Sequence, residues 1–267
     1  MLIKNFVVDK VRQAMGVSRT NGEMLWHLTE VQNPTLGSNA ESKNCIGADG
    51  TPIMTLYTQK NARFAAQSAL LDFGLMAAQY GTEMEEASDT NQILMPAVEE
   101  FIVKEGETAV TLANVPAGEA GAELKYIYVT NPGQVATRYA MGASASATEF
   151  AVDLATKVVT LPTNVKPGDN VFVMYEYKSK SGARILNSAK NFPRACKCVL
   201  DVLGHDVCNK DIMYAAKVVF RNAELSPNVD INLATDGSHP FELTANQEYC
   251  STDKGLFEIF IPEAETI

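Results

Sequence analysis

Ile212-Met213-Tyr214-Ala215-Ala216-Lys217-Val218-Val219-Phe220-Arg221-Asn222 decides the fold class. Ile212, Tyr214, Ala216, Val218 and Phe220 alternate with Met213, Ala215, Lys217, Val219 and Arg221. Successive side chains of a strand point to opposite faces, so this period of two predicts a long strand with one apolar and one mixed face. Phe241, Leu243, Ala245, Gln247 and Tyr249 repeat the pattern against Glu242, Thr244, Asn246 and Glu248. Together they predict a sheet buried on one side and polar on the other. Cys196 to Leu203, Val229 to Leu233 and Leu256 to Ile261 are further strand candidates.

Upstream, Leu25, His27, Thr29 and Val31 alternate with Trp26, Leu28, Glu30 and Gln32 over about 24–33, and Asn33-Pro34 ends that strand. Residues 34–51 are polar and hold Gly37, Gly47 and Asp49-Gly50, which predicts a long loop or a loose hairpin. Pro52 to Thr58 reads as a strand. Residues 62–80 read as one helix with a stripe of Phe64, Leu71, Leu75 and Ala78, capped by Gly81. Its expected role is to cover a sheet face. Residues 1–15, with Leu2, Phe6, Val7, Val11 and Met15, read as an arm that docks on another surface.

Between 97 and 179 the pattern changes to short strands: 98–104, 108–113, 124–130, 135–140, 147–152, 157–161 and 170–178. Asn114-Val115-Pro116-Ala117-Gly118, Asn131-Pro132-Gly133 and Lys166-Pro167-Gly168-Asp169 separate some of them. Short strands at regular turns predict a small β-sandwich. No cysteine falls there, so no disulfide pins it. The expected organisation is a β-domain formed by 1–95 and 183–267, with 97–180 inserted into one of its loops.

The chain has 267 residues, 46% of them hydrophobic, and a net charge of −10. That composition supports an ordered core and argues against a protein that grips nucleic-acid phosphates. Residues 82–123 hold ten acidic residues opposed by Lys104 alone. This stretch reads as a solvated linker and sheet face, or as an acidic surface that repels DNA. No apolar run reaches the length of a membrane span, and the N-terminus lacks the pattern of a secretory signal.

Five cysteines, Cys45, Cys196, Cys198, Cys208 and Cys250, predict free thiols in a reducing compartment. Cys196, Cys198, His205 and Cys208 fall in one stretch, and a hairpin there would gather them. Their spacing is not that of a zinc knuckle, and small buried core residues are the better reading. No nucleophile elbow, phosphate loop or zinc-peptidase motif is present, and Glu85-Glu86 and Glu99-Glu100 read as solvated. No catalytic residue, metal or cofactor is expected.

The order of segments is similar to that of tail tube proteins (major tail proteins) of long-tailed bacteriophages and related contractile injection particles. The strand from Leu25 to Val31 leads to a long loop. Met54-Thr55-Leu56-Tyr57 leads to a helix ending at Ala77-Ala78-Gln79-Tyr80-Gly81. Near the end, Ile212 to Phe220 pairs with the strand that follows Thr235-Asp236-Gly237-Ser238-His239-Pro240-Phe241-Glu242-Leu243. The likeness covers 1–95 and 183–267. The middle module departs from the simplest tube proteins and resembles the immunoglobulin-like additions of phage structural proteins.

This resemblance implies a mainly β fold: a tube-type β-sandwich or barrel with one flanking helix, plus the inserted sandwich. It implies six-subunit rings stacked into a tube, with inner strands lining a channel that passes DNA without specific binding. Ring closure would remove open sheet edges, and an acidic wall would let phosphates slide. Candidate lumen residues are Glu30, Gln32, Lys217, Arg221, Glu242 and Glu248, polar positions on otherwise apolar alternating strands; an ordinary solvated sheet position is the plain alternative for each. Candidate contacts between subunits or rings are Leu2, Phe6 and Val11 of the arm, Ile46 and Asp49 of the loop, and Phe64, Leu71 and Leu75 of the helix stripe, although a core role suits that stripe as well. The implied partners are further copies of the chain and other tail proteins (tape measure, terminator, baseplate and sheath). The implied place is the virion tail, assembled in the host bacterial cytoplasm, with no membrane. Competing readings are a decoration, terminator or head-completion protein, and a soluble binding module that uses Tyr126, Tyr128, Tyr175 and Tyr177 to hold sugar.

Overall fold

The computed structural model describes residues 6–131, 133–207, 211–234 and 238–261. The chain divides into two compact units, Met1–Met84 with Ile185–Ile267, and Glu85–Arg184. The first unit begins with β1 (Phe6–Ser18), β2 (Met24–Leu28), β3 (Val31–Ile46), β4 (Pro52–Ser68) and α1 (Phe73–Gln79). The second unit comprises β5 (Glu85–Glu86), β6 (Ile93–Ile102), β7 (Ala109–Thr111), β8 (Tyr126–Thr130), β9 (Thr137–Met141), β10 (Glu149–Asp153), β11 (Val158–Thr160), β12 (Asn170–Ser179) and β13 (Ala183–Arg184). The first unit resumes with β14 (Cys196–Asp206), β15 (Met213–Leu225), β16 (His239–Ala245) and β17 (Glu258–Phe260).

In the first unit the strands pair in the order β2-β1-β14-β15-β16-β4-β3, with β17 also on β15. The edge strands β2 and β3 are joined by Thr29 and Glu30 alone. Three peptide links reach ~11 Å at most, whereas seven strands laid flat would span ~29 Å from edge to edge. The sheet must therefore curl until its edges meet. Ala69, just past β4, donates its N–H to Glu30 O in that link at 3.4 Å. Trp26 on β2 packs edge-on against Phe241 of β16 at 6.0 Å, and Phe64 of β4 lies 5.9 Å from Phe241. Strands at opposite ends of the ladder thus share one interior, filled also by Ala14, Leu28, Cys196, Cys198, Leu200, Phe220 and Leu243. The fold is mainly β with a nearly closed, barrel-like sheet.

Several sequence expectations are corrected here. The helix expected over 62–80 is a strand to Ser68 followed by a two-turn helix. Ala62, Phe64, Ala66 and Ser68 alternate inward between β3 and β16, and ladder pairing on both sides overrides their helical propensity. The helix starts where Asp72 caps it, its carboxylate accepting the Leu75 N–H at 2.6 Å. Its expected cap at Gly81 is present, at φ +65° with Thr82 N–H bonded to Ala77 O. Asn33-Pro34 does not end a strand. A bulge between Gln32 and Thr35, with Asn33 at φ +48°, carries the proline within the edge strand β3. Residues 1–15 are not a free arm from Phe6 onward, because β1 pairs with β2 on one side and β14 on the other. Val229 to Leu233 is not a strand; Ser226-Pro227 interrupts the chain and the segment has no ladder partner.

The second unit holds all seven short strands expected between 97 and 179, in the order β6-β12-β8-β9-β10-β11-β7. β10 pairs parallel with β9 through its first residues and antiparallel with β11 through its last, which turns the sheet over its own core. Ile127, Phe150, Val159, Val171 and Val173 are fully enclosed there. The entry strand β5 pairs with the exit strand β13, and Arg184 binds Glu85 at 2.7 Å.

Gly16 faces inward opposite Trp26, and a Cβ on it would meet the indole Nε1 at 2.2 Å. Gly16→Ala is expected to destabilise the first unit by about 1–3 kcal/mol, because the ring has no room to retreat. Trp26 is the chain's one tryptophan, so its fluorescence during urea unfolding reads this unit directly. An unshifted midpoint would contradict the packing described.

Candidate functional site: the charged face of the closed sheet

Alternation sends the apolar half of each strand inward and leaves a charged face outside. Gln13 of β1, Asp201 of β14 and Lys217 of β15 stand in one row across that face. A bulge between Val11 and Gln13 adds Arg12 to the row. Arg12 Nη2 donates to Asp201 Oδ2 at 2.5 Å and Gln13 Nε2 to the same oxygen at 2.8 Å. Lys217 Nζ lies 3.1 Å from Asp201 Oδ1. Gln13 Oε1 meets His27 Nε2 at 3.0 Å. The Asp201 side chain is 3% exposed, while Arg12 and Lys217 are 53% and 52% exposed.

The same pairing recurs along the face. Arg221 holds Glu258 of β17 through two nitrogens, at 3.1 and 2.7 Å. That grip keeps the Glu258 carboxyl below its ordinary range. Arg63 of β4 lies 3.4 Å from Glu242 of β16, and Arg19 lies 3.9 Å from Glu248. Four of the six polar positions selected from sequence (Lys217, Arg221, Glu242 and Glu248) are therefore members of ion pairs. Glu30 lies exposed in the link between β2 and β3, and Gln32 stands opposite Gln67 at the β3 edge. Most of the cations named on this face are thus paired with carboxylates. Sequence reading missed Asp201 and Arg12; the available signal was a lone acid in the apolar run Cys198 to Leu203.

The second feature is the β3–β4 hairpin. β16 covers β4 only from Ala62 to Ser68. Beyond that, residues 38–46 and 52–61 pair with each other and with no third described strand. The polar segment 34–51 is thus one strand and the tight turn of a hairpin, the second of the two forms expected from sequence. Asp49 makes the turn, its carboxylate accepting from Thr51 N–H at 3.2 Å and Thr51 Oγ1 at 2.8 Å. Ile46, Ile53, Met54, Leu56 and Tyr57 are all exposed on this ribbon, Tyr57 by 76%.

The other expected contact residues divide. Leu2 lies outside the described residues. Val11, Phe64 and Leu75 are buried within their own unit. Phe6 covers Gly204. Leu71, Ile46 and Asp49 remain exposed.

Cys196 and Cys198 point into the core, where burial, with Glu224 adding, pushes the Cys196 thiol up to about 11. Strand β14 carries His205 to the opposite face, ~23 Å along from Cys198, so Cys196 and Cys198 are not gathered with His205; Cys208 lies outside the described residues. Among the described residues no group of three His, Cys, Asp or Glu side chains is placed to hold a metal. In the second unit the four tyrosines split. Tyr175 is buried, its hydroxyl donating to Glu99, and Tyr177 packs on the same core. Tyr126 and Tyr128 lie on the outer face, with the Arg138 guanidinium 4.5 Å over Tyr126. Tyr126, Tyr128 and Tyr175 line one open groove, and Tyr177 does not reach it.

Burial raises the Asp201 pKa, but the Arg12, Gln13 and Lys217 hydrogen bonds outweigh it and hold the carboxyl below the ordinary 3.8. A depressed carboxyl stabilises the fold above its unfolded value and loses that contribution as pH falls through the folded one. Asp201→Asn is expected to cost about 1–3 kcal/mol at neutral pH. The gap to wild type should stay constant above about pH 5 and close progressively below about pH 4. Trp26 fluorescence melts across pH 3–8 measure it; a gap independent of pH would contradict the charge assignment.

No helix among the described residues is long and apolar enough to cross a membrane. None of the curated proteins compared matches the chain. A protein-family model does, described as the YomU/Tube protein family, over residues 6–257. That match runs through both units and includes the hairpin and the ion-paired face apart from Glu258. The chain belongs to the YomU/Tube protein family.

Proposed function

We propose that this tube-family chain builds the tail tube of a phage particle as stacked six-subunit rings that enclose a channel for DNA. The observation that carries the reading is the β3–β4 ribbon. A two-stranded hairpin is marginal in water, and this one exposes Ile46, Ile53, Met54, Leu56 and Tyr57. A neighbouring copy that covers it would stabilise both, and a head-to-tail contact of this kind repeats without limit into a tube.

The charged face supports a channel wall. Arg12, Arg63, Lys217 and Arg221 already hold carboxylates, which leaves Lys197 of β14 as an exposed cation without an ion pair among the described residues, so few charges remain to neutralise phosphates and retain DNA. The second unit is assigned to the outside of the tube as a decorating, immunoglobulin-like module, because a domain of this size would block a channel. The pairing of its entry and exit strands suits an insertion into a loop of the tube domain. Other tail proteins, such as a tape measure, terminator, baseplate or sheath, are the expected partners, and the virion tail is the place. No catalytic role is proposed.

Concentrated wild-type protein is expected to form hollow tubes or stacked rings in negative stain, more readily at high salt, which screens the −10 charge per subunit. Ile53→Asp with Tyr57→Asp should block stacking and leave the Trp26 melting curve unchanged. Tubes formed equally well by that double variant would overturn the role given to the ribbon.

A further inference from the structure

We infer that Asp201 is a masking residue: it sequesters Arg12 and Lys217 so that the face they stand on does not hold passing nucleic acid. This rests on the reading of that face as the channel wall. The geometry is specific. A carboxylate almost fully shielded from solvent lies on the polar side of a sheet, between two cations that are each half exposed. Arg12 reaches it only because the bulge after Val11 puts one extra residue on that face. Arg12 and Gln13 both donate to Oδ2, and Lys217 approaches Oδ1. Oδ2 takes both hydrogen bonds, Oδ1 has the Lys217 ammonium at ion-pair distance without a hydrogen bond, and each cation keeps about half of its side chain exposed.

An apolar side chain at this position would keep the sheet, since neighbouring Val199 and Leu203 occupy the same side of β14. It would leave Arg12 and Lys217 free. A cation whose partner is a buried carboxylate has little left to offer a phosphate, whereas a free one releases a counterion from DNA on contact. The Arg221–Glu258 clamp does the same further along β15. The net charge of the triad changes from +1 to +2 when Asp201 is neutralised, and around a ring that change is repeated in every copy.

The test uses the full-length chain and a fluorescently labelled 30-base-pair DNA duplex, read by anisotropy from 20 to 200 mM salt. Wild type and Asp201→Glu are expected to bind negligibly. Asp201→Asn should bind at least tenfold tighter, with a slope of log affinity on log salt steeper by about 1–2. Adding Lys217→Gln to Asp201→Asn should return binding most of the way to wild type. A purely structural role for Asp201 would not move the salt slope or give that reversal. If Asp201→Asn does not fold, Asp201→Ser replaces it, since the smaller side chain admits water to both cations. A folded variant that binds DNA no better than wild type overturns the inference. That null beside normal tubes in negative stain rejects the masking alone, whereas DNA capture by a chain that never forms tubes rejects the channel reading and keeps the masking.

Discussion

Two residues, Thr29 and Glu30, impose the shape of the first unit. They join β2 and β3, which stand at opposite ends of the hydrogen-bonded ladder. So short a link forbids an open sheet. Closure gives every strand an inside and an outside. It brings Trp26, Phe64 and Phe241 together in one core, although β2 and β16 are four strands apart along the ladder. It also decides what is left uncovered. β16 reaches only the last seven residues of β4, Ala62 to Ser68, so the rest of the hairpin projects without a third described strand.

The outside of the closed sheet carries cross-strand ion pairs. Lys217, Arg221 and Arg63 each stand on an outward position, and each has a carboxylate on a neighbouring strand. Exposed pairs of this kind contribute little to stability. Their consequence lies in the surface potential: a wall of paired charges neither grips a polyanion nor exposes an apolar path to it. The −10 charge of the chain acts at longer range and the pairs act at contact. In the proposed tube these two effects combine to let DNA pass.

Much of the fold was legible because burial is one-sided. The alternation in Ile212 to Asn222 and Phe241 to Ala245 survives in β15 and β16, and the turns around 114–118, 131–133 and 166–169 mark the short strands of the second unit. Misreadings came where local pattern and tertiary pairing disagree. Ala62 to Ser68 has helical composition, yet two ladders hold it as strand. Pro34 looks like a stop, yet an edge bulge absorbs it. Lys217, Arg221, Glu242 and Glu248 could be placed on a polar face from spacing alone. Their partners could not, because Arg12 and Asp201 are 189 residues apart, and Arg63 and Glu242 are 179 apart. Ion pairs across a closed sheet are set by register, which no local window contains.

In the proposed tube the charged face of this sheet lines a channel and the hairpin reaches an adjacent ring. A helical reconstruction of assembled tubes by electron cryo-microscopy tests it directly. The account predicts that the Gln13, Asp201 and Lys217 row faces the lumen and that Ile53 and Tyr57 lie against the next ring. A reconstruction with that row on the outer surface, or with the hairpin folded against its own subunit, would contradict it.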